Sequence, residues 1–131
     1  MPLALIVEDD DDIRDSLEEE LLDLGCEVVT AVSGTSALEQ LQDGLRPDFV
    51  LLDLLLPEMS GPELLRTLKL DAVLSTLPVV LMSASRVSAV VGEAGSSQRV
   101  LQKPMKRWQL EQIVDWFGGV EAAPAKRSEP A

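Results

Sequence analysis

The chain has 131 residues, enough for one domain that buries roughly two thirds of the surface its unfolded form exposes, with no disulfide or structural metal required. Its 23 acidic and 11 basic residues give a formal charge of −12, which disfavours direct contact with nucleic acid or an anionic membrane and favours cations or basic protein faces. Histidine is absent, which excludes imidazole catalysis and imidazole metal sites, and the single Cys26 can form no internal disulfide and reads as a small buried hydrophobe of an intracellular chain. The most apolar window, FVLLDLLLP, is short and split by Asp53, so no membrane segment and a cytoplasmic location are expected.

In chain order, the first expected strand is Leu3 to Val7, followed at once by the acidic run EDDDD from Glu8. Ile13, Leu17, Leu21 and Leu24 then recur at helical spacing, and Gly25 ends that helix. A second strand, Glu27 to Ala31, precedes a helix carrying Ala37, Leu38 and Leu41. Pro47 leads into the third strand, Phe49 to Leu52, and Pro62 opens a helix with Leu64, Leu65 and Leu68 on one face. Pro78 opens the fourth strand, Val79 to Met82. The stretch SRVSAVVGEAGSSQ has weak helical patterning and two glycines, which predicts a short or mobile helix before the fifth strand, Arg99 to Gln102. The last helix carries Leu110, Ile113, Val114 and Phe117, with Trp108 projecting nearly opposite that face, an indole that either lies back over neighbouring loops or anchors a partner. Residues 1–118 form the expected domain, and 119–131, rich in Ala, Pro and charge, an expected disordered tail.

Runs without alternation, such as FVLL and VVLM, suit strands covered on both faces, so the fold class is α/β, a doubly wound five-stranded parallel sheet. In such sheets ligands bind beyond the carboxyl ends of the strands. That rule gathers Glu8 and Asp9 after the first strand, Asp53 after the third, Ser83 after the fourth and Lys103 after the fifth. Carboxylates crowded in this way repel unless a cation sits among them, and hard oxygen donors suit Mg2+, an ion that keeps several waters and usually works beside a phosphate. Asp10, Asp11 and Asp12 instead cap the first helix and favour its dipole.

The set LIVEDD, DFVLLDLLLPEMSG, VVLMSAS and KPM, in this order over nearly the whole chain, resembles the receiver domain of two-component response regulators, a flavodoxin-like (βα)5 fold. The resemblance implies that Asp53 accepts a phosphoryl group from a histidine kinase or a histidine phosphotransfer protein. It implies Mg2+ held by Asp9, Asp53 and the Leu55 carbonyl, with Glu8 acting through a water. Ser83 and the Ala84 backbone would contact phosphoryl oxygens, Lys103 would pair with another, and the Lys103–Pro104 peptide would be cis. Such a domain is no enzyme beyond its own phosphorylation and dephosphorylation. With no second domain expected, it would signal through an output protein or a homodimer. Val100 stands where receivers usually carry a switching aromatic, three residues before Lys103, which motivates the alternative of a pseudo-receiver that docks constitutively. A flavin binder on the same fold is disfavoured because the acids would repel its phosphate. A haloacid-dehalogenase phosphatase is disfavoured because Leu55 replaces the second Asp of that pattern.

Overall fold

The structure is a computed structural model that describes residues 1–83, 99–103 and 105–118, the side chains of residues 99 and 117 aside. The expected helix between the fourth and fifth strands, Ala84, the Lys103–Pro104 peptide and the tail lie outside the described residues. The elements are β1 (Leu3–Val7), α1 (Asp11–Asp23), β2 (Glu27–Ala31), α2 (Gly34–Gln42), β3 (Phe49–Asp53), α3 (Gly61–Lys69), a 3-10 turn (Leu74–Thr76), β4 (Val79–Ser83), β5 (Arg99–Gln102) and α4 (Arg107–Ile113). A π-helical turn, Val114–Gly118, follows α4. All strands are parallel, in the order β2-β1-β3-β4-β5. The α/β doubly wound sheet expected from the unbroken apolar runs is therefore what forms.

Side chains alternate across each strand and so divide the core into two layers. Leu5, Val7, Val50, Leu52 and Leu81 pack against Ala37 and Leu41 of α2 and Leu64 and Leu68 of α3. Ile6, Phe49, Leu51, Val80 and Met82 pack on the other face against Leu17 and Leu21 of α1 and Leu110 and Ile113 of α4. Cys26 is buried in this second layer, and burial pushes its thiol pKa up, away from reactivity.

The helix starts follow from capping. Asp10, Ser33 and Ser60 each accept a backbone N–H from the first turn that follows, and Ser60 with Glu63 forms a reciprocal capping box that encloses Pro62. Gly25, at φ 94, turns the chain from α1 into β2 in a left-handed conformation that a side chain would strain.

β1, β2 and β5 have the expected bounds, whereas β3 and β4 each run one residue further than expected. Asp53 pairs with Met82, and Ser83 with Gln102, so both polar residues belong to the ladder. Ladder bonds use only the backbone, so a polar side chain at the mouth of the sheet does not end the strand. Ile13 is also more exposed than its spacing predicts, because it lies in the first turn of α1, where the helix overhangs an open crevice.

The loop after β3 is pressed closely onto its neighbours. A Cβ at Gly61 would lie 2.6 Å from the Asp53 carbonyl oxygen and 2.7 Å from the Leu54 Cα. One at Gly34 would lie 2.3 Å from the Met59 carbonyl oxygen. These two glycines let the loop close down between α2 and β3.

Candidate functional site

The strand order reverses between β1 and β3, since the chain passes from β1 to β2 on one side and returns to β3 on the other. The carboxyl ends of these two strands therefore open into the crevice such a reversal creates. Glu8 follows β1 directly, and its N–H donates to the Ala31 carbonyl at 3.1 Å, continuing the ladder. Its side chain is only 1% exposed, and its Oε2 accepts the Asp10 N–H at 3.2 Å. Asp53, 4% exposed, ends β3, and its Oδ1 accepts the Leu55 N–H at 3.3 Å. Asp9 stands at the exposed lip, and carboxylate oxygens of Glu8, Asp9 and Asp53 lie within 4.8 Å of one another.

One cation reaches into this set among the described residues. The Lys103 N–H donates to the Ser83 carbonyl at 2.7 Å, which fixes where the side chain starts. Its Nζ lies 2.8 Å from Glu8 Oε1 and 3.1 Å from Asp53 Oδ2. Burial pushes the Glu8 carboxyl above the ordinary range; Lys103 and the Asp10 N–H oppose the rise and Asp53 adds to it. For Lys103, burial alone would depress the ammonium, but Glu8 and Asp53 outweigh it and its pKa is raised. Ser83 is buried at the end of β4 beside this group of strand ends, while Leu55 is exposed in the loop beyond Asp53. In the same loop Glu58 adopts φ 70, an unusual conformation for a non-glycine residue.

Three carboxylates facing one ammonium leave excess negative charge. Among the described residues, the Lys103 ammonium at 2.8 Å is the one polar partner of Glu8 Oε1. A buried carboxylate oxygen that shares one ammonium with Asp53, beside a third carboxylate, is the environment a hard divalent cation or its bound water would complete. The residues present fit Mg2+.

The sequence reading gathers Glu8, Asp9, Asp53, Ser83 and Lys103 at one crevice; the structure brings the three carboxylates and the Lys103 ammonium together, and Ser83 ends the neighbouring strand β4. The sequence reading did not single out Arg14, whose Nη1 donates to the Glu8 carbonyl at 3.0 Å. A signal was available: Arg14 is the only Lys or Arg before Arg46. Trp108 is exposed as expected, and it also flanks a groove of about 210 Å3 with Val80, Val100, Gln112 and Trp116.

Residues 4–115 match the response regulator receiver domain family. The chain belongs to that family. As a receiver it is a signalling domain of two-component systems. It is 36% identical over 108 residues to the transcriptional regulatory protein AfsQ1 of Streptomyces coelicolor, a match covering 81% of this chain and 46% of that protein. The receiver thus spans about half the length of the curated relatives it matches. It superposes with a TM-score of 0.81 and 32% identity on the signal receiver domain of a signal transduction histidine kinase from Syntrophus aciditrophicus, covering 92% of each chain. The receiver domain of a sensor histidine kinase from Pseudomonas aeruginosa, solved with a magnesium ion in its active-site cleft, shares the fold at 24% identity and a TM-score of 0.80, over 90% of this chain and 98% of that one. No helix among the described residues is long and apolar enough to cross a membrane.

Proposed function

We propose that Asp53 of this receiver takes a phosphoryl group from a phosphohistidine on a histidine kinase or phosphotransfer protein, in the cytoplasm. The observation that carries the reading is the buried Asp53 carboxylate, with Lys103 Nζ at 3.1 Å and the carboxylates of Glu8 and Asp9 around it. A carboxylate oxygen of Asp53 attacks phosphorus as the donor's P–N bond breaks, and the bonding pair leaves on the imidazole nitrogen. The protein's work is to hold that nucleophile in line and to place positive charge at the phosphoryl oxygens. Lys103 provides charge from the chain itself, and Ser83 and, by the family pattern, the Ala84 backbone would provide polar contacts to the group. Glu8, Asp9, Asp53 and the Leu55 carbonyl would hold Mg2+, which when bound supplies further positive charge there.

Output passes through protein contacts, to a partner or a second copy. The charge of −12 weighs against direct nucleic-acid contact by this domain. Val100 has no aromatic ring to swing, so the reading requires another carrier of the signal at the β5 edge.

Mass spectrometry after incubation with acetyl phosphate and Mg2+ tests the proposal. The wild type should gain one phosphoryl group and Asp53→Asn none. Equal labelling of both proteins would move the acceptor elsewhere, and an unlabelled wild type that still binds Mg2+ would favour the constitutive docking module.

The metal assignment has its own test. With Mg2+ at tenfold excess over its dissociation constant, the wild type should gain about 1.4 kcal/mol of stability over the same protein in EDTA at matched ionic strength. Asp9→Asn should lose most of that gain and Asp12→Asn little. Identical behaviour of the two variants would contradict the ligand set.

A further inference from the structure

The loop that bears Glu8 and Asp9 leaves the sheet, so its backbone needs partners other than a ladder. The Glu8 N–H still reaches Ala31, but its carbonyl lies beyond the last β1 pair. Arg14 supplies the donor. Its Nη1 bonds the Glu8 carbonyl at 3.0 Å while Nη2 bonds Asp11 Oδ1, a two-pronged grip suited to the planar guanidinium fork. The Arg14 backbone N–H also bonds the Asp10 carbonyl at 2.9 Å, so one residue ties the loop through both side chain and main chain. The Arg14 side chain is 14% exposed, although it carries a full charge at the protein's most acidic loop.

The Glu8 carbonyl belongs to the peptide that leads into Asp9, and holding it sets the direction in which Asp9 departs. We propose that Arg14 is a positioning residue for the divalent cation, locking the Glu8–Asp9 peptide so that both carboxylates face Asp53. The proposal rests on the reading of that acidic cluster as a cation site. Its effect has a definite sign. A guanidinium close to the cluster repels a divalent cation by charge alone, so removing it would tighten binding if charge were its whole contribution. Removing a residue that positions the ligands loosens binding instead.

Calorimetric titration with Mg2+ at fixed ionic strength, on the wild type, Arg14→Ala and Arg14→Lys, separates the two, with urea midpoints in EDTA recorded for each. Arg14→Ala should weaken Mg2+ affinity about tenfold or more, the usual scale for losing a group that orients a metal ligand. Arg14→Lys should recover part of the affinity, although its charge still repels the ion. Equal or tighter binding by Arg14→Ala would overturn the proposal while leaving the cation site in place. Should that variant fail to fold, Arg14→Gln carries the same test with the same sign. A wild type that binds no Mg2+ would remove the cation site itself, and the role of Arg14 with it.

Discussion

Lys103→Met should unfold with about 3 kcal/mol less stability than the wild type in EDTA, the scale expected when one partner of a buried ion pair is removed. The reason lies in the two carboxylates left behind: Glu8 and Asp53 both touch the ammonium, and both are almost wholly buried. Added Mg2+ should return part of the loss, since it restores positive charge to the same oxygens. The Mg2+-dependent gain should therefore be larger in the variant than in the wild type. The pH dependence has a sign as well. Glu8 already has a raised pKa in the folded chain, so its ionisation costs stability as pH rises from the ordinary carboxylate range through that raised value. Without Lys103 the rise is greater, so the deficit should shrink at mildly acidic pH. Urea midpoints across pH read both effects, and equal midpoints at neutral pH would show an ammonium that contributes nothing to the folded state.

Gly61→Ala should cost about 2 kcal/mol, within the range for forcing an extra methyl into closed packing. The methyl would meet the Asp53 carbonyl and the Leu54 Cα, both main-chain atoms, so no flexible side chain can move aside. The Gly61 N–H also donates to the Leu54 carbonyl at 3.1 Å, tying the start of α3 to the end of β3. Relief of the clash must shift the segment that ends in Asp53, so phosphorylation by acetyl phosphate should slow along with the loss of stability. A variant with the wild-type midpoint and labelling rate would show that the loop yields freely.

Much of this arrangement was legible because one physical constraint dominated each inference. Strands such as Phe49–Asp53 and Val79–Ser83 are buried on both faces, and their unbroken apolar runs announced it. The crevice was legible because repulsion among Glu8, Asp9 and Asp53 demands compensation and the fold rule collects strand ends. The last residues of β3 and β4 were not, since Asp53 and Ser83 join the ladder through backbone groups that carry no side-chain signature. Ile13 misled for a related reason: periodicity assigns a face but does not say that the first turn overhangs open space. Arg14 escaped notice because a long side chain reaching back to a carbonyl follows no period at all.

The two tryptophans have a practical consequence. Trp108 and Trp116 flank the groove at the β5 edge, and neither contributes to the acidic cluster. Both indoles are partly open to water, and tyrosine is absent, so the intrinsic ultraviolet emission of the chain arises almost entirely from that edge. A cation settling among Glu8, Asp9 and Asp53 has no indole beside it to quench. Any change in emission on adding a phosphoryl mimic would therefore measure how far the disturbance travels from the acidic cluster to the β5 edge, with no label attached.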